Sequence, residues 1–258
     1  MKTVNQPSTP TWADLSTTDV PAAKTFYQDL FGWTCADVPM EEAGGYGMFL
    51  QGEEYVGGYG PCMAAGQPVG WSTYFRSDDA DATAAQVTEN GGTVIAPPMD
   101  VFDSGRLAYF TDPEGAAFGV WQPKEHKGFG VYQEPGAVCW FELMSRDADR
   151  AKTFYRAVFG WDADTCGTDG GGAYTEWKLG GEPLSGMMHM AGEGFPPEIP
   201  AHWMVYFAVA DCDATADRAR ELGAAVAVPP TTVPPGRFSV LRDPQGGHFS
   251  VIALDGPR

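Results

Sequence analysis

Three side chains with different chemistry alternate along residues 140–144, where Trp140, Glu142 and Met144 are each separated by one residue. Side chains at alternate positions of a β-strand point to the same face, so this spacing predicts an indole, a carboxylate and a thioether side by side. An indole stacks on planar rings, a thioether adapts to irregular ligands, and a carboxylate pairs with an ammonium group. The pattern favours a surface that binds a small planar aromatic ligand, including a cationic one.

A related pattern occurs at residues 12–16, where Trp12, Asp14 and Ser16 alternate in the same way. An acidic residue thus stands at the same strand position in both halves of the chain, and a carboxylate is costly to bury without a partner. We interpret these positions as ligand-facing. The alternative is that the aromatic side chains fill a core, as large apolar residues most often do.

His248 is the residue that would add proton transfer to such a surface. His248 and Ser250 alternate with apolar residues near the C-terminus, so both are expected to face the ligand. His248 and Glu142 would then act as a general acid and base, or hold a divalent ion weakly. The other interpretation of a single histidine is a hydrogen-bonded structural group. The first half carries Ala117 at the position of His248, so the pair is predicted for one half only.

A duplication positions these residues. The sequence A-K-T-F-Y occupies residues 23–27 and 151–155, and each copy continues to F-G-W. A D-P-x-G motif follows in each half, at residues 112–115 and 243–246. Because the offset stays close to about 130 residues throughout, the chain is predicted to contain two copies of one domain.

Each half divides again into two units of β-α-β-β-β order. Amphipathic spacing and Gly or Asn stops predict helices at residues 21–31, 80–90, 149–159 and 212–222. Short alternating runs broken by Gly and Pro predict antiparallel strands around them, in units near residues 11–63, 70–122, 137–190 and 202–254. Residues 123–136, with their glycines, prolines and charges, are predicted to link a domain at 1–122 to a domain at 137–258.

A strand, an acidic turn, an F-Y helix that ends in F-G-W, and a late D-P-x-G strand together resemble the vicinal-oxygen-chelate superfamily of glyoxalase, bleomycin-resistance and dioxygenase type. The resemblance covers nearly the whole chain and is strongest to tandem two-domain, actinobacterial-like members. It implies an α+β fold with two domains. Each domain would be a pair of βαβββ modules whose cup-shaped sheet holds the ligand.

Metal-binding members of that superfamily place His or Glu on the first and last strands of their modules. The resemblance assigns the corresponding positions in this chain to Trp12, Ser72, Gly119, Trp140, Met204 and Ser250. Because none of these is a His or Glu, the expected cups hold no metal, and no other cofactor is expected.

The expected cup linings define the candidate site. The ligand-binding residues would be Trp12, Asp14, Ser72, Tyr74, Arg76, Trp121, Trp140, Met144, Met188, Met204, Tyr206 and Ser250. The first hypothesis is a metal-free binding protein for a planar aromatic metabolite, with an accessory or resistance role in antibiotic biosynthesis as the resemblance allows. The second is an enzyme of lyase, isomerase or hydroxylase type that uses His248 and Glu142. The third is an enzyme whose divalent metal has unorthodox ligands.

Bulk properties restrict the partners. A net charge of −18 at pH 7 repels phosphate backbones and anionic lipids, so neither nucleic acid nor membrane is expected as a partner. A small molecule is the expected partner, and two cups in one chain allow a monomer as well as a homodimer. No apolar run of about 18 residues occurs and the first ten residues lack an apolar core, which predicts neither a membrane span nor a secretory signal. Five cysteines without C-x-x-C spacing predict reduced thiols in the cytoplasm.

Overall fold

The computed structural model describes residues 6–64, 66–167, 172–192 and 194–256, which form sixteen strands and four α-helices. The first module contains β1 (Pro10–Thr17), α1 (Val20–Phe31), β2 (Thr34–Asp37), β3 (Gly47–Gln51) and β4 (Glu54–Pro61). The second contains β5 (Gly70–Arg76), α2 (Ala80–Glu89), β6 (Thr93–Val101), β7 (Gly105–Thr111) and β8 (Ala117–Pro123). The third contains β9 (Val138–Ser145), α3 (Ala148–Phe159), β10 (Asp162–Gly167), β11 (Ala173–Leu179) and β12 (Glu182–His189). The fourth contains β13 (His202–Ala208), α4 (Cys212–Glu221), β14 (Ala225–Val233), β15 (Gly236–Arg242) and β16 (His248–Leu254).

The acidic turns before the helices are N-caps. The side chains of Asp19, Asp79, Asp147 and Asp211 each accept a hydrogen bond from the backbone N–H three residues later. Such a bond satisfies one of the N–H groups that a helix leaves without a partner at its start. Helices α1 and α3 end at glycines in the left-handed conformation, which explains the glycine of each F-G-W sequence.

The strands form two eight-stranded sheets with the same order. The N-terminal sheet has the order β2-β3-β4-β1-β5-β8-β7-β6, and the C-terminal sheet has the order β10-β11-β12-β9-β13-β16-β15-β14. The first and last strands of a module run parallel, as in β1–β4 and β9–β12, whereas the hairpin pairs are antiparallel. Four βαβββ modules in two sheets confirm the α+β fold class that the sequence predicts.

Contacts divide the described residues into two compact units. Unit 1 lies within Met1–Trp12, Thr73–Gly128 and Trp140–Met204, and unit 2 lies within Ala13–Ser72, Phe129–Cys139 and Val205–Arg258. Unit 1 therefore contains α2 and α3, and unit 2 contains α1 and α4. The proposed linker at 123–136 separates the two sheets in sequence, whereas the compact units interleave the chain on both sides of it.

The core of unit 1 is built around the aromatic residues of α3. The Tyr155 ring stacks on Trp161 with ring centroids 5.4 Å apart, and Phe159 stacks on the same indole at 4.9 Å. Phe75 of β5 packs against Phe159 at 5.3 Å and against Trp203 at 5.1 Å. The F-Y and F-G-W sequences are thus core elements of this unit.

Unit 2 repeats this core around α1. Phe31 stacks on Trp33 at 4.6 Å and contacts Phe207 of β13 at 5.2 Å. Tyr27 packs against Phe249 of β16 at 5.5 Å. The duplicated aromatic residues therefore serve the same structural purpose in both units.

The D-P-x-G motif of unit 1 anchors a buried chain of hydrogen bonds. The Tyr155 hydroxyl donates to Asp112 Oδ2 at 3.0 Å and accepts from Trp203 Nε1 at 2.9 Å. Asp112 Oδ1 accepts from the backbone N–H groups of Glu114 and Ala116. Burial raises the pKa of the Asp112 carboxyl, and the hydrogen bonds oppose that effect.

Unit 2 contains the same chain of hydrogen bonds. The Tyr27 hydroxyl donates to Asp243 Oδ2 at 2.9 Å and accepts from Trp71 Nε1 at 2.9 Å. Asp243 Oδ1 accepts from the N–H groups of Gln245 and Gly247. Burial raises the pKa of the Tyr27 hydroxyl well above its usual value. These aspartates hold turns and tyrosines in place.

Two general expectations, one on membrane spans and one on the cysteines, can be compared with the fold. Among the residues described, no helix is long and apolar enough to cross a membrane. All five cysteines are free thiols.

Candidate functional site

Each sheet has a face that packs on the helices and a second face that points the other way. On β5, Phe75 faces α3, so its neighbours Tyr74 and Arg76 belong to the second face. On β9, Phe141 packs against Phe75 in the core, which assigns the residues on either side of it to the second face. The predicted site residues belong to these second faces, and each unit carries a part of them.

In unit 1, the N-terminal sheet places four predicted residues on its second face. Trp12 and Trp121 are buried, and Tyr74 and Arg76 are half-buried. On the parallel strands β5 and β8, Arg76 lies opposite Trp121 and Tyr74 lies opposite Gly119. The ring of Tyr74 lies across Gly119, where a side chain would collide with it. Glycine at this position therefore makes room for a flat phenol.

Sequence reasoning missed a fifth member of this group, His126. Its ring contacts Trp12 edge-on with centroids 4.5 Å apart and lies 5.7 Å from the ring of Trp121. The Trp121 indole N–H donates to the His126 carbonyl at 2.9 Å. Burial lowers the pKa of the His126 imidazole to about 4. Its position in a predicted linker gave no signal, since strand alternation does not extend beyond β8.

Unit 2 carries the acidic residue of the N-terminal sheet. Asp14 on β1 lies opposite Gly58 on β4, and Asp14 Oδ2 accepts a hydrogen bond from the Tyr46 hydroxyl at 3.2 Å. A side chain at Gly58 would collide with that hydroxyl. Ser72 is half-buried on β5. Tyr46 was not among the predicted residues, although the glycine opposite Asp14 is a signal for a close neighbour.

Unit 1 repeats this arrangement on the C-terminal sheet with different chemistry. The Trp140 indole N–H donates to the Tyr174 hydroxyl at 3.0 Å. Glu142 is buried and lies opposite Gly186 of β12, whose hydrogen faces the Tyr174 hydroxyl. Tyr174 was also missed by the sequence reasoning. Its position corresponds to that of Tyr46 in the first half.

Methionines complete the predicted set of unit 1. Met144 and Met188 lie opposite each other on β9 and β12, and both are half-buried. Met204 of β13 is buried. His189, the neighbour of Met188, instead forms a hydrogen bond through Nε2 with the Arg146 carbonyl at 3.2 Å. The side chain available to the second face at this point is therefore Met188.

Unit 2 carries the remaining residues of the C-terminal sheet. Tyr206 and Ser250 lie opposite each other on β13 and β16 and are both buried. Within the described chain, the Ser250 hydroxyl has no hydrogen-bond partner. His248 is the exposed first residue of β16 and lies opposite Arg242. Because Glu142 belongs to unit 1 and His248 to unit 2, the acid–base pair stays a prediction.

Comparisons with known proteins agree with this architecture. A model of the Glyoxalase/Bleomycin resistance protein/Dioxygenase superfamily matches residues 9–120 and 138–251. "Putative glyoxylase CFP32" of Mycobacterium tuberculosis is 43% identical over 250 residues, which cover 95% of this chain and 94% of the relative. "Anthracycline biosynthesis protein DnrV" of Streptomyces peucetius is 40% identical over 264 residues, which cover 96% of this chain and 94% of the relative.

Solved structures resemble the chain at the level of the fold. A Mn(II)-bound glyoxalase from Novosphingobium aromaticivorans matches with a TM-score of 0.63 at 17% identity, over 98% of this chain and 86% of that one. The 2,3-dioxygenase LapB from Pseudomonas sp. KL28 matches with a TM-score of 0.66 at 14% identity, over 98% of this chain and 94% of that one.

The described side chains do not fit a divalent metal such as the Mn(II) of the Novosphingobium glyoxalase. A catalytic site for a transition metal takes three protein ligands, most often His, Cys, Asp or Glu. The part of the chain that the structure describes contains no group of three such residues that could hold an ion. At the positions assigned by resemblance stand Trp12, Ser72, Gly119, Trp140, Met204 and Ser250, which offer two hydroxyls and one thioether as donors.

Proposed function

The chain belongs to the Glyoxalase/Bleomycin resistance protein/Dioxygenase superfamily, and on that premise we propose that it binds a small planar aromatic metabolite on the second faces of its sheets, without a metal. The proposal includes an accessory or resistance role in antibiotic biosynthesis. It rests on one observation. Large aromatic and sulfur-containing side chains occupy the sheet faces that point away from the helices.

The aromatic side chains supply what a planar ring needs. Trp12, Trp121 and Trp140 are each at most 8% exposed although they point away from the helices. Rings stack offset or edge-to-face, and such contacts add about 0.5–1.5 kcal/mol to the burial of apolar area. The ring of Tyr74 lies against Gly119 and the hydroxyl end of Tyr174 lies against Gly186, so the glycines leave room for both side chains next to the sheet. A planar ligand on a second face would therefore contact indole and phenol rings.

Two observations support the chemical class. The relative DnrV is named for anthracycline biosynthesis, and anthracyclines contain fused planar rings. The half-buried methionines Met144 and Met188 suit an irregularly shaped ring system, because the thioether is flexible and polarisable. The proposed partner is thus a small molecule. With a net charge of −18, neither nucleic acid nor membrane is proposed, and a monomer or homodimer suffices.

The experiment is a titration of the metal-free protein with two planar probes, neutral 1,8-dihydroxyanthraquinone and cationic N-methylacridinium. Quenching of tryptophan fluorescence that saturates at one or two probes per chain is expected. Trp140→Leu should weaken binding of at least one probe, because it removes a second-face ring. Trp33→Phe, a change in the core of unit 2, is the matched control. The proposal fails if neither probe binds, or if binding appears only after a stoichiometric divalent ion is added.

A second candidate function is favoured by Glu142. Glu142 places a carboxylate on a second face between Trp140 and Met144, where it can exchange a proton with a ligand. This candidate is a superfamily enzyme of lyase, isomerase or hydroxylase type in which Glu142, with His248 as a second group, moves a proton. The relative "Putative glyoxylase CFP32" is named for chemistry of this kind. The test is turnover of the methylglyoxal–thiol adduct by the wild-type protein. If Glu142→Gln abolishes this turnover but still binds the planar probes, the result would favour the enzyme.

A further inference from the structure

A single guanidinium in unit 1 binds four main-chain carbonyls of one connection. Arg146 Nη1 donates to the carbonyls of Met190 and Phe195 at 3.1 and 3.2 Å. Its Nη2 donates to the carbonyl of Ile199 at 2.9 Å and to that of Pro196. Hydrogen bonds from a charged donor are roughly twice as strong as those between neutral groups. Arg146 therefore holds the chain between β12 and β13 through its main chain.

The stretch at residues 194–200, which we call the crossover flap, has few other main-chain bonds. Three of its seven residues are prolines, which have no N–H group. The N–H groups of Phe195 and Ile199 donate to carbonyls three residues earlier, at 3.3 and 3.1 Å. The Pro200 carbonyl contacts Nδ1 of His202 at 2.8 Å. The guanidinium is therefore the main anchor of the crossover flap to the sheet.

The crossover flap lies at the carboxyl end of β9. In the sheet order, β9 stands between β12 and β13, the two strands that this connection joins. Arg146 directly follows β9 and binds carbonyls from both ends of the connection, so the chain crosses the end of this strand. Met144 and Met188 lie opposite each other at the same end. The crossover flap therefore borders the sulfur-rich part of the second face.

The alternation of β9 places the guanidinium on the same side. Arg146 is the next position after Glu142 and Met144 in the row of second-face residues. Unit 2 gives a direct parallel on the N-terminal sheet. There, Gln67 of the shorter connection between β4 and β5 donates to the Ser16 hydroxyl at 2.9 Å, and Ser16 is repeat-related to Met144. This connection thus reaches the same position of the second face.

We propose that the crossover flap is a lid that controls access to Met144 and Met188 on the second face of the C-terminal sheet, and that Arg146 is its latch. While the guanidinium binds the four carbonyls, the flap lies across the end of β9. Local opening of such a segment costs less free energy than global unfolding, so the latch can release without loss of the fold. The inference goes beyond the proposed function, because it concerns entry to the face and not what binds there.

The latch is a property of one half of the chain. The residue repeat-related to Arg146 is Thr18, which has no guanidinium, and the neutral amide of Gln67 ties the first connection instead. A neutral amide has one acceptor and two donors, whereas the fork of an arginine reaches several carbonyls at once. A controlled entry is therefore inferred for the C-terminal sheet alone.

The test is oxidation of methionines by chloramine-T, whose substituted benzene ring makes it too bulky to reach a covered thioether. Peptide mass spectrometry follows sulfoxide formation at Met144 and Met188. Met63, 79% exposed, and Met187, fully buried in the core, are the internal references. Arg146→Ala is expected to raise the oxidation rates at positions 144 and 188 about tenfold relative to Met63, because charge-assisted hydrogen bonds are lost.

Two further variants complete the test. Arg150→Ala is the matched control, since Arg150 is exposed and lines the same cavity as Arg146, and it should leave both rates unchanged. Arg146→Lys keeps the charge but offers three donors from one point, so it should raise the rates less than Arg146→Ala does. If Arg146→Ala does not fold, Arg146→Lys decides the question.

Wild-type oxidation rates at Met144 and Met188 in the folded variants would overturn the lid. An equal rise at Met187 would also overturn it, because that result would mean a general loosening of the core. Neither outcome depends on a bound ring, so the planar probes test the proposed function separately.

Discussion

The second faces of the two sheets differ although the cores beneath them repeat. In the N-terminal sheet, Arg76 and Trp121 lie opposite each other on β5 and β8. The repeat-related positions on β13 and β16 hold Ala208 and Ile252. The buried tyrosines Tyr27 and Tyr155, by contrast, keep identical partners.

The second face of the C-terminal sheet is instead richer in sulfur-containing side chains. Where the first half has Ser16, Gly60 and Ser72, the second half has Met144, Met188 and Met204. The packing of a core restricts which residue types each of its positions accepts. A position outside the core lacks this restriction, so its residue type can differ between the repeats. The comparison therefore indicates two second faces of different chemistry on one repeated framework, and the proposed function assigns ligand binding to both.

The largest expected effect tests the part that repeats. Asp112→Ala and Asp243→Ala each leave a buried tyrosine hydroxyl and two backbone N–H groups without their acceptor. Each change should lower the free energy of unfolding by about 4 kcal/mol, measured by urea denaturation. Asp217→Ala, which removes an exposed ion pair with Arg220, should change it by less than about 0.5 kcal/mol. A clear difference between the two buried variants would show that the cores are not equivalent.

The pH dependence of the free energy of unfolding tests the burial of His126, which contacts Trp12 and Trp121 on the second face of the N-terminal sheet. As pH falls, the unfolded chain protonates its imidazole near 6.5, whereas folded His126 resists down to about 4. The free energy of unfolding should therefore be fully retained above pH 6.5. It should fall by about 3 kcal/mol between pH 6.5 and 4, a contribution that His126→Phe removes.

A second histidine provides the comparison for this titration. Burial, and the nearby charge of Arg146, lower the pKa of His202, whereas a hydrogen bond to the Pro200 carbonyl raises it. His202→Phe should remove a separate part of the acid-induced loss. Denaturation curves that keep the wild-type slope in His126→Phe would contradict a neutral, buried imidazole at position 126.

An exchange between the repeats should have a moderate effect. Gly119 and Ser250 are repeat-related, and a side chain at 119 would collide with the ring of Tyr74. Gly119→Ser should lower the free energy of unfolding by about 2 kcal/mol, because Tyr74 must leave its position. Ser250→Gly should cost about 1 kcal/mol, from backbone entropy alone. Thermal melting of the two variants gives the comparison, and equal costs would show that Tyr74 is not fixed against β8.

The smallest expected effect concerns the turns of the D-P-x-G motifs. In unit 1, Glu114 Oε1 accepts from the N–H groups of Arg146 and Asp147 at 2.8 Å, and Oε2 accepts from the Ser145 hydroxyl. The related turn of unit 2 carries Gln245. Glu114→Gln replaces one acceptor with a donor and should cost about 1 kcal/mol in urea denaturation. The exposed Glu125→Gln is the control, and an equal result for both would mean that Glu114 makes no net contribution.

Local rules were enough to predict the modules. The N-cap aspartates, the glycine stops and the apolar spacing of α1 and α3 act within a few residues, so they are readable without tertiary structure. Strand alternation likewise predicted that Tyr74 and Arg76 share a face, and the structure packs Phe75, which lies between them, into the core. These rules fixed which side chains share a face.

Contacts between residues that are distant in sequence could not be predicted from these local rules. Tyr46 and Tyr174 reach the second faces because glycines on a neighbouring strand make room for them, and that depends on register. The D-P-x-G aspartates were visible as motifs, but their tyrosine partners lie on helices far away in sequence.

The sequence by itself determined the duplication, the four βαβββ modules and the aromatic and sulfur-rich character of the second faces, because these depend on composition and local periodicity. The tertiary structure decided two further points. It placed His248 at the exposed start of β16, and it brought His126 from a segment without periodicity to the rings of Trp12 and Trp121. Both outcomes follow from long-range packing, which sets the burial and the neighbours of a titratable group.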